Sequence, residues 1–166
     1  MAVTTQNSTQ YANTVATPVV NNATADLHGR LRTAYVTTAQ SGAGDATSSV
    51  ALFKLPAGKV RLNIAKSYLY VNWTTASATL DLGWDAYTGQ DGVAVAADPN
   101  GLANAIDVDT VGARTGATLA TLAAVIAQGG TFLFESKDGV VIRATSPTAA
   151  IADTDTIAGT FEYVID

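Results

Sequence analysis

Cysteine is absent from this 166-residue chain, and disulfides, thiol nucleophiles and zinc–thiolate sites are excluded with it. Charge is also scarce. Asp, Glu, Lys and Arg make up 14% of the residues, against roughly 25% in an ordinary soluble domain. The net charge is −5, and of the basic residues only Arg30/Arg32 and Lys59/Arg61 lie close together. Neither pair makes the clustered patch that replaces phosphate counterions, so nucleic acid is not an expected partner. No apolar run approaches ~20 residues, so no helix is expected to span a membrane. The start, Met1-Ala-Val-Thr-Thr-Gln-Asn, has neither the basic residues nor the apolar stretch of a signal peptide. The one histidine, His28, sits in Asp26-Leu-His-Gly29-Arg and reads as a hydrogen-bonded hinge residue.

What is present is small and β-forming. A hydrophobic fraction of 48% leans heavily on Ala, and 166 residues suit one domain that buries about two-thirds of its unfolded surface. Residues 1–26 stand apart: polar, almost uncharged, rich in Asn, Thr and Gln. Their apolar members, Tyr11, Val15, Pro18, Val19 and Val20, are too few for a core element. Such a segment suits a disordered tail or an extended arm that lies along a partner. On the second reading those five residues are its protein-interface anchors.

From residue 27 the pattern is one β-sandwich or barrel domain to residue 166. Leu31 to Ala39 reads as a strand. Pro56-Ala-Gly58 is a turn between two alternating segments, and Asp138-Gly139 closes a hairpin. Val60, Leu62 and Ile64 share one face, whereas Leu69, Val71 and Trp73 have the opposite parity. A continuous strand therefore needs a bulge or break near Ala65–Ser67. Leu80, Leu82, Trp84 and Ala86 alternate with Thr79, Asp81 and Asp85, a half-buried strand with its aspartates toward solvent. Residues 88 to 112 read as a surface excursion with turns. Thr115 to Gln128 is the one helix candidate, with Thr115 as a cap, although a strand competes there. Thr156 to Asp166 supplies a last strand.

Chemistry is thin. Asp81 and Asp85 would share a strand face, as a glycosidase pair does, but they are read as solvent-facing aspartates of a sandwich. Asp107-Val-Asp109 and Asp153-Thr-Asp155 carry oxygens suited to a hard cation, without the spacing of a recognised calcium loop. Tyr68, Tyr70 and Tyr87 could line a sugar-binding face, while Trp73 and Trp84 fall on core-facing positions. No phosphate loop, dinucleotide fingerprint or nucleophile elbow occurs. No enzyme, metal or cofactor is expected.

Five stretches carry a resemblance: Asp26-Leu-His-Gly-Arg-Leu-Arg, Phe53-Lys-Leu-Pro-Ala-Gly-Lys-Val-Arg-Leu, Trp84-Asp-Ala-Tyr with Asp98-Pro-Asn-Gly-Leu, Leu133-Phe-Glu-Ser, and Thr156 to Asp166. Over about residues 26–166 the chain resembles small tailed-bacteriophage head decoration, or cement, proteins. The resemblance implies an all-β, jelly-roll-like antiparallel sandwich with an extended N-terminal arm and at most one short helix. It further implies a trimer on the outer surface of a virion, bound to the major capsid protein at capsomer junctions. Another head or tail structural protein, or a carbohydrate-binding sandwich module, remains the alternative.

Overall fold

The computed structural model describes residues 2–18, 20, 31–109, 112–115 and 130–165. Among these residues the chain forms β1 (Thr5–Asn7), α1 (Thr9–Val15), β2 (Leu31–Ala39), β3 (Ser49–Leu55), β4 (Gly58–Asn72), β5 (Thr79–Trp84), β6 (Tyr87–Thr88), β7 (Ala94–Val95), β8 (Asp98–Asp107), β9 (Gly112–Thr115), β10 (Thr131–Ser136), β11 (Val140–Thr145) and β12 (Thr156–Ile165). One sheet has the order β1-β3-β11-β5-β8. The other runs β10-β4-β12-β2, with β9 also paired to β4. All these pairings are antiparallel except β1 with β3. The fold is all-β, an antiparallel sandwich of the jelly-roll-like kind.

The two sheets meet through the alternating apolar residues. Leu52, Leu62, Leu69, Leu80, Leu82, Ile142 and Phe161 lose all solvent contact, each side chain contributing roughly 1.5–3 kcal/mol of transfer free energy. Phe53 on β3 faces Phe161 on β12 at 4.8 Å between ring centroids, and Trp84 on β5 meets Phe132 and Phe134 on β10 at 4.8 and 5.4 Å. Trp73 and Trp84 are buried, as their parity predicts.

The parity change in β4 is a bulge within one 15-residue strand. Asn63 pairs with Glu162 and Tyr68 with Thr160, so residues 64–67 of β4 lie opposite Phe161. Asn63 holds the bulge closed. Its side-chain oxygen accepts from the Lys66 amide at 3.2 Å, and its carbonyl accepts from the Ser67 hydroxyl at 2.7 Å. Before the bulge Val60, Leu62 and Ile64 face the core, and after it Leu69 and Val71 do. The chain reverses at both predicted turns, but the hairpin expected at Asp138-Gly139 is not formed: β10 and β11 lie in different sheets, as do β3 and β4 on either side of Pro56-Ala-Gly58. At Gly139 (φ +88°) a Cβ would stand 2.4 Å from the Leu55 carbonyl oxygen, so this sheet-to-sheet connection needs glycine there for space as well as for its left-handed φ.

Two further expectations change. Much of the excursion at 88–112 is β8, which pairs with β5 and buries Leu102, Ala103 and Ile106. Its ladder shifts register twice, between Leu80 and Leu82 and between Leu82 and Trp84, and those shifts break the alternation that a regular strand displays. Asp81 is not solvent-facing. It is 8% exposed and accepts from the Ala105 amide at 2.7 Å. Thr115 ends β9 opposite Tyr68, and residues 116–128 of the helix candidate lie outside the described residues. Among the described residues the one helix is α1, in the N-terminal segment.

Candidate interaction site: the N-terminal segment and the edge of β3

β3 reads Ser-Val-Ala-Leu-Phe-Lys-Leu and buries Val50, Ala51, Leu52 and Phe53 in succession. One of its edges pairs with β11. The other carries β1, in register Thr5↔Ser49, Gln6↔Val50 and Asn7↔Ala51. The segment read as an extended arm thus has residues 5–7 extended and residues 9–15 helical, both laid on the chain's own body.

Polar groups hold it there. The Ser49 amide donates to the Thr4 carbonyl at 2.9 Å and the Ser8 amide to the Ala51 carbonyl at 2.8 Å. The Thr4 amide donates to Ser48 Oγ, and Gln40 Nε2 donates to Thr4 Oγ1, both at 2.9 Å. Gln6 and Ser41 exchange two bonds, side-chain amide to carbonyl at 3.0 Å and backbone amide to Oε1 at 3.2 Å. Gly44 makes the seat possible, since a Cβ there would lie 2.5 Å from Thr4 Oγ1 and 2.6 Å from Ser48 Oγ.

Ser8 is the pivot. Its side chain is wholly buried. It accepts from the Tyr11 amide at 3.1 Å, capping α1, and it donates to the Leu52 carbonyl. Leu52 lies where the β3–β11 ladder skips a residue, between the pairs Phe53–Ile142 and Ala51–Arg143. Sequence reasoning missed Ser8. The available signal was a helix-capping residue just ahead of a short stretch free of Pro and Gly.

Of the five predicted anchors, Tyr11 is half-buried on α1. Val15 and Val20 expose 52% and 49% of their surface, and Pro18 is exposed. Val19 lies outside the described residues, as do His28 and the rest of 21–30. The anchors are therefore not gathered into one contact on the chain's own body.

A second surface covers the outer face of the β4-containing sheet. Tyr35, Thr160 and Tyr68 form one cross-strand row, and Leu31, Val164, Arg61 and Leu133 another. Leu31, Tyr35, Tyr68 and Leu133 are exposed.

The candidate chemical groups do not converge. Asp85 is engaged by Arg143, whose guanidinium is held above its ordinary range first by the hydrogen bond to Asp85, with burial opposing. Asp153 accepts from the Gly42 amide at 2.8 Å. Asp155 accepts from the Thr74 amide and hydroxyl and from the Ala152 amide, so its oxygens tie loops together. Among the described residues no three His, Cys, Asp or Glu side chains are grouped to hold a metal. Tyr87, Gln90, Asp91, Leu133 and Glu135 border an open cleft of about 400 Å³, with Tyr87 edge-on to Phe134.

The architecture is an all-β sandwich of the jelly-roll-like kind. Over 97% of its length the chain is similar to 97% of a chain from the capsid of Ralstonia phage GP4, with a TM-score of 0.65 and 19% identity. It also aligns over 90% of its length with 99% of a chain from the cyanophage Pam1 capsid asymmetric unit, with a TM-score of 0.49 and 16% identity. The fold likeness rests on the first of these. No protein-family model and no curated protein sequence matches the chain.

Proposed function

We propose that this chain is a structural component of a tailed-phage virion, a decoration protein that binds the major capsid protein on the outer surface of the head. The observation that carries this reading is the end-to-end likeness, 97% of each chain, to a chain from the Ralstonia phage GP4 capsid. The work of such a protein is adhesion across capsomer joints and requires no catalysis. A homo-oligomer, with a trimer favoured, gains from multivalency, because one assembly that touches several capsomers detaches only when all its contacts open together. Low charge and the exposed row of Tyr35 and Tyr68 suit broad close-packed contacts of this kind.

Mass spectrometry and electron microscopy of particles that encode the chain test the reading. Many copies on the outer head surface are expected, and a protein confined to the tail or absent from particles overturns it. The part played by the N-terminal anchors needs a gentler probe than deletion, since removing residues 2–15 uncovers β3. Val15→Asp with Val20→Asp leaves the seated residues intact. The double variant is expected to melt like the parent protein and to fail to attach to undecorated heads. Attachment equal to the parent's removes Val15 and Val20 from the interface.

A further inference from the structure

The N-terminal segment is attached to the body in a manner that does not require it to belong to the same chain. Among the described residues every buried hydrophobic side chain of the core comes from Val36 or later, so the described part of the segment adds no fully buried apolar group to the sandwich. Backbone and short polar side chains make its bonds to the body, and the side chain it buries most deeply is Ser8. Its pairing with β3 is parallel, so no tight turn ties the two strands together.

The groove it fills is nonetheless a built one. It has the free edge of β3 as its floor, and Gln40, Ser41 and Ser48 supply one wall. Gly44 leaves room for Thr4, and the Leu52 carbonyl waits for the Ser8 hydroxyl. An apolar strand with such an edge left bare is a template for unwanted pairing, so the groove needs an occupant.

Between Val15 and Leu31 the sequence supplies fifteen residues, 16–30. At ~3.3 Å per residue they can reach up to roughly 50 Å, while a domain of this length has a radius of gyration of about 15 Å. The tether is long enough to carry the segment onto a neighbour.

We infer that residues 2–15 are an exchangeable arm and that the groove along β3 takes the same segment of a second copy of this chain. Exchange preserves every bond described above, so the closed and exchanged forms differ mainly in tether entropy and local concentration. It also brings Val15 and Val20, each about half exposed on the closed chain, to the junction between two copies. The inference concerns self-association and stands apart from the virion reading.

The chain has no cysteine, which makes the test direct. Thr5→Cys and Ser49→Cys occupy register partners. They are placed in separate full-length chains with different tags, co-produced in one cell, purified and mildly oxidised. Exchange predicts a disulfide-linked species that carries both tags, shifted to twice the monomer mass on a non-reducing gel. In the Thr5→Cys/Ser49→Cys double variant it predicts covalent multimers. A double variant that closes its disulfide wholly within a monomer, with no doubly tagged species from the mixed single variants, overturns the inference. So does a double variant that forms no disulfide, because β1 then does not occupy the edge of β3.

Discussion

Arg143 on β11 grips Asp85, just beyond β5, with two parallel bonds: Nε to Oδ1 and Nη2 to Oδ2, both 2.6 Å. The third arm of the guanidinium, Nη1, donates to Ser49 Oγ at 3.2 Å, and Ser49 is the register partner of Thr5. One side chain therefore joins β5, β11 and β3 directly beneath the N-terminal segment. The two side chains are only 20% and 35% exposed, so the pair lies outside the class of fully solvated ion pairs that contribute little. Arg143→Met keeps the stem and removes the fork. The expected loss is about 1–3 kcal/mol, read as a lower urea midpoint at unchanged slope. A midpoint within error of the parent's defeats the argument.

Ser8 serves two elements at once, as the cap of α1 and as the donor to Leu52. Ser8→Ala leaves both groups unserved in a site closed to water. The cost expected is about 1–2 kcal/mol, most of it local. Limited proteolysis checks this: cleavage between residues 2 and 15 is expected to speed up, with the body's thermal transition lowered by only a few degrees. Unchanged cleavage shows that the hydroxyl does not hold the segment.

At Gly83 the reason for glycine is a close approach. A Cβ there would lie 1.9 Å from the Asp98 carbonyl oxygen and 2.4 Å from the Pro99 carbonyl carbon. Both obstacles are backbone, which cannot rotate aside. Gly83→Ala is expected to push β8 off β5 and cost more than about 2 kcal/mol. Amide exchange separates this from general unfolding, with protection lost first at Leu102 to Ile106. Full protection on β8 contradicts the proposed collision.

The same neighbourhood explains which parts of the fold were legible in the sequence. Strands with strict alternation and glycine turns can be read directly, and so can the β4 bulge, because a parity change is itself a sequence signal. β8 was hidden because Asp98-Pro-Asn-Gly101 has turn composition, yet Gly101 is small in order to lie under the Trp84 ring, where a Cβ would come within 2.3 Å of it. Asp81 looked solvent-facing because aspartate usually is, and Asp155 reads only as a cation-type oxygen donor; here each is buried accepting backbone amides. The N-terminal segment was singled out by composition, and its seat was not. A three-residue parallel pairing across more than forty positions leaves no periodic trace. Nothing local in Thr5-Gln6-Asn7 specifies Ser49-Val-Ala as its partner.

Tyr87 provides a pH handle on the β6–β10 cleft. Burial first, and the negative charge of Glu135 second, raise its phenol above the ordinary value of 10.0. The folded protein thus holds the phenolic proton more tightly than the unfolded chain does. That contribution to stability is fully present below about pH 10 and is lost as pH climbs through the raised value. Six tyrosines are present, so the signal is the difference between the parent and Tyr87→Phe. Urea midpoints taken from about pH 9 to about pH 11 are expected to fall more steeply for the parent. Glu135→Gln removes the smaller cause, so the fall still begins near the ordinary value but ends at lower pH and is smaller, without being abolished. Parallel alkaline profiles for the parent and Tyr87→Phe would mean that the phenol titrates alike in the folded and unfolded chains.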